Sequence, residues 1–250
     1  AVAKARDGMG AAEQLSYLQG FVPAKNEEGL RAAAQECGWA LLSNPAAADD
    51  PAVPTLLSLP TWLRMAKPIF GFIGILPAYN ETDVSIGVLV FLTLFFGMIV
   101  GDAGYGILFL LIAVGLKIRM RAPERQLAID LLLLLSIVTV SWGLLTGNVF
   151  AIPAERLPTG MRGVQWLTDT AVRNRHIQWL CFLIAAVHLS LARGWQAMLR
   201  LNSKTALGHI GWALLIWGNF FTAVELIVQK GSFPKFAYVL YGIGTVLILS

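Results

Sequence analysis

The sequence predicts an all-α membrane protein: a polytopic bundle of about six transmembrane helices behind a short soluble N-terminal tail. Two observations carry that expectation. The first is composition, with 56% hydrophobic and 14% charged residues among 250 and a mean hydropathy of +0.66, more apolar surface than a soluble domain of this size can bury. The second is a series of long apolar runs separated by short basic or proline-bearing loops, the pattern of repeated bilayer crossings. A net charge of +4, scattered over loops, fits topology and gives no footing for nucleic acid.

The organising stretch is Val84 to Ile118, which contains FFGMIVGDAGYG from Phe95 to Gly106. As one helix, Ile86 to Ile118 would be about 50 Å long, against the ~30 Å of a hydrocarbon core. A break is therefore expected near Gly101, Gly104 and Gly106, which surround Asp102 and Tyr105. Two short spans result, over residues 86-100 and 104-118. Gly97 and Gly101 form a GxxxG pair through which another helix can approach closely, and Gly143 and Gly147 form a second.

Asp102 is the sole Asp, Glu, Lys, Arg or His between Asp83 and Lys117. It admits two readings: a polar plug or proton site at membrane depth, or a cap whose oxygen binds the amides opening the next helix.

Residues 1-60 read as the end of a cytoplasmic domain followed by a proline-rich linker. Ala1 to Tyr17 suits the end of a helix, Leu18 to Pro23 a short strand, and Glu27 to Leu42 a helix with Asn26 as its cap. Residues 61-83 mix Arg64 and Lys67 with Trp62, Leu63, Ile69, Phe70 and Phe72, as expected of a segment lying on lipid headgroups. Beyond the glycine-rich hairpin, spans are expected over residues 127-150, 176-192, 207-228 and 236-250. Pro153 and Pro158 interrupt the loop after the third span.

With a hairpin at the centre, one side of the membrane collects Arg64, Lys67, Lys117, Arg119, Arg121, Arg125, Arg193, Arg200 and Lys204. The other holds Arg156, Arg162, Arg173, Arg175, Lys230 and Lys235, so the first side is the inner one. Trp142, Trp166, Trp179, Trp195, Trp212 and Trp217 fall mostly near span ends, as belt residues do.

Few polar groups lie at membrane depth. Glu225, near the outer end of the fifth span with Asn219 and Thr222 on nearby turns, is either a proton-accepting carboxylate or an interfacial glutamate snorkelling beside Lys230. His188 is either a proton relay, histidine being the side chain type that ordinarily changes charge near neutral pH, or a neutral ring hydrogen-bonded to a neighbouring helix. His209 reads as structural, and Asp130 is expected to pair with Arg125 or with amides of its own helix start. Cys37 and Cys181 lie in different environments and are not expected to form a disulfide. The sequence contains no Walker loop, HExxH or CxxC pair and no nucleophile elbow, so neither a metal nor another cofactor is expected, nor any site that splits ATP.

The string Phe95-Phe96-Gly97-Met98 leading into Gly101-Asp102-Ala103-Gly104-Tyr105-Gly106 resembles the a subunit, or subunit I, of V-type and A-type rotary ATPases. So do Tyr17-Leu18-Gln19-Gly20-Phe21-Val22-Pro23, Val53-Pro54-Thr55-Leu56-Leu57, Pro77-Ala78-Tyr79-Asn80-Glu81-Thr82-Asp83 and Trp142-Gly143-Leu144-Leu145-Thr146-Gly147, all in the family's order. Two departures stand out: Val84 follows Asp83 where the family has proline, and Phe21 replaces a tryptophan.

The resemblance implies a non-catalytic stator in the membrane sector, offering half-channels for protons or Na⁺ to a rotor ring and attached to peripheral-stalk subunits. It implies Glu225, His188 and Asp102 as proton-path candidates, in a bacterial or archaeal plasma membrane or a vacuolar-type membrane. The family's essential arginine lies on a later span, so the chain is expected to be a fragment lacking its final spans, and no arginine here takes that role. The alternatives are a secondary transporter or channel, or a purely structural scaffold. The transporter reading wants a second glycine-rich break matching the first, and no clear counterpart stands in the later spans.

Overall fold

The structure, a computed structural model, describes residues 9–12, 15–47, 53–54, 59–74, 82–153, 156–169 and 171–250. Ala1 to Gly8, half of the linker, the end of the Val53 to Leu57 string and Pro77 to Glu81 of the next string lie outside the described residues. The chain divides into two compact units, Ala1–Val88 and Leu89–Ser250.

In the first unit, β1 (Gly10–Ala12) pairs antiparallel with β2 (Leu15–Tyr17), Gly10 opposite Tyr17. This ribbon replaces the expected helix end. Alanine propensity is a weak prior, and Gly10 offers no Cβ where the Tyr17 ring lies, since a Cβ there would come within 2.4 Å of it. Leu18 to Pro23, expected as a strand, has no regular structure. Helix α1 (Glu27–Cys37) follows a 3₁₀ turn over Ala24–Asn26 and stops at a left-handed Gly38, short of Leu42. Asn26 makes no side-chain cap; instead Glu27 accepts from Arg31 at 2.9 Å and from Ser43 Oγ at 3.0 Å. These bonds, that from Ser43 foremost, hold the Glu27 carboxyl below its ordinary range.

A 3₁₀ turn over Thr61–Ala66 runs into α2 (Lys67–Ile73). Leu63, Ala66, Ile69 and Phe70 are buried at helical spacing, whereas Trp62, Arg64, Lys67 and Phe72 are exposed.

The remaining helices are α3 (Ser85–Val100), α4 (Ala103–Arg119), α5 (Pro123–Leu145), the single turn α6 (Gln165–Thr168), α7 (Arg173–Leu199), α8 (Thr205–Ala223) and α9 (Ala237–Leu249). Asp83 Oδ1 accepts from the Ser85 N–H at 2.9 Å, opening α3. The break between α3 and α4 is two residues wide, with Gly101 at φ 64° and Asp102 extended. The chain doubles back there. Gly97 lies against Val138 and Gly106 against Val140, yet in a straight helix these glycines would stand about 14 Å apart. Both arms therefore flank the same stretch of α5.

Helices α4 and α5 run antiparallel, with Ala103 against Gly143, Gly106 against Val140 and Lys117 ion-paired with Asp130. That register corrects the expected partner of Asp130. Arg125 sits five residues back, about 140° around the helix, whereas the short turn after Arg119 brings Lys117 directly opposite. Helix α5 ends at Leu145, not at Phe150, because Gly147 and Phe150 take positive φ. Helix α7 extends well beyond the expected 176-192, so Arg193 lies on it. Helices α8 and α9 cross at Gly211 against Gly244 and at Gly218 against the Tyr241 ring.

Among the described residues, three helical stretches are long and apolar enough to cross a membrane: Arg125–Leu145, Arg173–Leu199 and Thr205–Val228. Ser85–Val100 and Ala237–Leu249 are apolar but shorter. Much of this apolar surface is uncovered, including Ile107, Leu108, Leu111 and Ile112 on α4.

Candidate functional site

After Ala223 the backbone of α8 widens into a π turn over Val224–Val228. Glu225 sits in that turn, half-buried. Its carbonyl accepts from the Gly231 N–H at 2.8 Å, and a Cβ on Gly231 would come within 3.1 Å of its carboxylate oxygen Oε2. Single π turns inside α-helices frequently mark functional positions. One turn back, the Tyr241 hydroxyl from α9 donates to Asn219 Oδ1 at 2.8 Å and lies 3.1 Å from Thr222 Oγ1. Among the described residues no hydrogen bond joins the Glu225 carboxylate to these groups, and no ion pair joins it to Lys230. The arrangement is thus a half-buried carboxylate with unused acceptor capacity beside a hydroxyl pair, in otherwise apolar helix.

Tyr241 is the member that sequence reasoning missed. Its ring fills the notch left by Gly218, and its hydroxyl is one of very few polar groups in Ala237–Leu249. The only sequence signal is that Gly218 and Tyr241 occupy helices joined by a short loop.

Asp102 is built differently. It is 5% exposed, and its Oδ1 accepts from the N–H groups of Gly104 at 2.7 Å, Tyr105 at 3.2 Å and Phe150 at 3.0 Å. It caps α4 and, through Phe150, ties the hairpin to the end of α5. Asn148 completes the tie: its carbonyl accepts from the Ala103 N–H and its side-chain amide donates to the Gly101 carbonyl, each at 2.9 Å.

The six glycines singled out for packing divide into two kinds. Gly97, Gly104, Gly106 and Gly143 face Val138, Phe150, Val140 and the Ala103 backbone, each too closely for a Cβ to fit without a shift. Gly101 and Gly147, the second members of the two GxxxG pairs, are left-handed residues that end α3 and follow α5, at φ 64° and 62°.

His188 stacks on Phe91 of α3, with centroids 3.9 Å apart and planes 13° from parallel, and has Phe95 at 6.0 Å. No hydrogen bond to its ring is found among the described residues, so its packing is aromatic and not the expected hydrogen bond. His209 instead meets Arg200, with Nε2 3.1 Å from Nη1. Trp166, Trp179 and Trp217, expected as belt residues, link into an edge-to-face aromatic cluster with Phe220 and Phe221. The three proton-path candidates therefore occupy separate places: the α3–α4 turn, the α3–α7 contact and the end of α8. Among the described residues no three His, Cys, Asp or Glu side chains gather as a metal site.

No family model matches the chain. It is 32% identical over 234 residues to the V-type ATP synthase subunit I of Borreliella burgdorferi, covering 90% of this chain and 38% of that protein. It is 29% identical over 229 residues to V-type ATP synthase subunit I 1 of Treponema pallidum, covering 88% and 36%. It is 28% identical over 144 residues to the A-type ATP synthase subunit I of Archaeoglobus fulgidus, covering 56% and 21%. The chain spans a little over a third of the length of the first two relatives. On these alignments the chain is a homologue of subunit I of the V-type and A-type ATP synthases.

Proposed function

We propose that the chain forms part of the stator of a V/A-type rotary ATPase and helps to line the half-channels that carry protons or Na⁺ to a rotor ring. In this reading α3, α4, α5, α7, α8 and α9 cross or enter the bilayer, residues 61-83 lie on the inner headgroups, and the peripheral stalk holds the assembly still. Glu225 is the group that exchanges ions with water. Tyr241, Thr222 and Asn219 form the polar lining beside it, His188 is a second-rank candidate, and Asp102 holds the hairpin to α5. The carrying observation is the half-buried Glu225 in a π turn at the end of an otherwise apolar helix.

The test is Glu225→Gln in the complete subunit, reconstituted into vesicles with its rotor ring, with ATP-driven proton or Na⁺ uptake measured. Loss of the titratable group should slow uptake by roughly tenfold or more. Uptake at the unaltered rate returns Glu225 to a structural role.

A further inference from the structure

We propose that the α7–α8 turn is a binding site for the phosphate of an anionic phospholipid headgroup. The proposal rests on α7 and α8 crossing the bilayer and is independent of any role in ion transfer. Between Asp169 and Glu225 the chain has no acidic residue, while Arg193 lies in the last two turns of α7, Arg200 directly follows that helix and Lys204 directly precedes α8. Among the described residues, neither ion pair involves any of the three.

Two of the cations are held in place by the protein. The Arg193 guanidinium lies 5.1 Å from the centre of the Trp212 ring. One Arg200 nitrogen is fixed 3.1 Å from His209 Nε2, which leaves its other N–H groups for a further acceptor. A guanidinium with free planar donors matches phosphate oxygens.

Beside Arg200 is an open groove of about 610 Å³. Its lining mixes the polar Arg200, Asn202, Ser203 and Thr205 with the apolar Met198, Leu199 and Leu201. Met198 and Leu201 are 65% and 72% exposed. An amphiphile fits this mixture: its phosphate meets Arg200 and Lys204 while its first acyl carbons cover the exposed side chains. A free phosphate ion uses only half of it. The turn also falls on the side richer in Lys and Arg, where anionic lipids of the inner leaflet are available.

The test uses the complete subunit in detergent, titrated with dioleoyl phosphatidylglycerol or dioleoyl phosphatidylcholine, with bound lipid counted by native mass spectrometry. The wild-type protein should retain phosphatidylglycerol preferentially, and affinity should fall about fivefold for each charge removed in Arg200→Gln and Lys204→Gln. Arg119→Gln with Arg121→Gln, which removes two cations elsewhere, should leave retention unchanged. Equal retention of the two lipids by the wild-type protein overturns the proposal, whatever the variants do. Equal loss in both pairs of variants overturns the location. Displacement of bound lipid by inorganic phosphate shows a general anion site and overturns the lipid assignment. Alkaline-wash-resistant insertion into phosphatidylcholine vesicles is read separately: failure there removes the bilayer-crossing premise, whereas insertion without a headgroup preference sinks only this site.

Discussion

Replacing Asp102 separates a structural carboxylate from a transporting one. Its Oδ1 receives three backbone N–H groups at 2.7, 3.2 and 3.0 Å in a site that is 5% exposed, so none of those amides has water as a ready substitute. Asp102→Ala strands all three donors. At about 1 kcal/mol per stranded bond, and with the cap alone worth about that much, the loss should be about 3 kcal/mol. Asp102→Asn keeps an acceptor oxygen in place and gives up only the charge assistance, so about 1 kcal/mol is expected. Equilibrium unfolding in mixed micelles, followed by far-UV circular dichroism, reads both values. Ion uptake by reconstituted complexes, normalised to folded subunit, should be unchanged in Asp102→Asn. An alanine variant within about 0.5 kcal/mol of wild type would show that the cap bonds carry little. An asparagine variant that is stable but does not transport would place Asp102 in the ion path.

Gly143→Ala should destabilise by roughly 3 kcal/mol, because its Cβ would fall 2.0 Å from the Ala103 nitrogen, a backbone atom that cannot rotate away. Gly115→Ala, with nothing within 4 Å, should be neutral or stabilising by up to about 1 kcal/mol in the same assay. Tyr241→Phe removes the bond to Asn219 and should cost about 0.6–1.7 kcal/mol, while slowing uptake less than Glu225→Gln does. The Glu27 carboxyl is held low in the folded protein, so its stabilising contact is complete above the ordinary carboxylate range and disappears as pH falls through the folded value. Ser43→Ala should move its titration, followed by carboxylate NMR, upward toward that ordinary range.

The helix break was legible because it follows from length and from glycine, both of which act locally. The Asp102 cap was legible for the same reason: an acceptor just before a helix start has its donors two and three residues ahead. Its third donor, Phe150, lies 48 residues away and carries no signal in the string. The two GxxxG pairs show where spacing stops being informative. In each the first glycine packs against a helix and the second turns the chain, a difference in φ that the letters do not encode. The partner of Asp130 depended on the register of α4 against α5, and the hydroxyl beside Asn219 on which face α9 presents to α8. The Ala-rich start formed strands because a two-stranded pairing outweighed local propensity.

Asp102 and Glu225 stand in physical contrast. The Asp102 oxygen already receives three backbone amides, so it is committed to a cap and to the tie with the segment after α5. Glu225 has no comparable set of donors among the described residues, and it sits where the helix has already given up its regular ladder. The packing of Gly211 on Gly244 and of Tyr241 on Gly218 makes no use of its carboxylate. On the proposed reading, rigidity at one end of the apolar region and an uncommitted carboxylate at the other is the division a stator needs, because the path must hold its shape while the ion changes places.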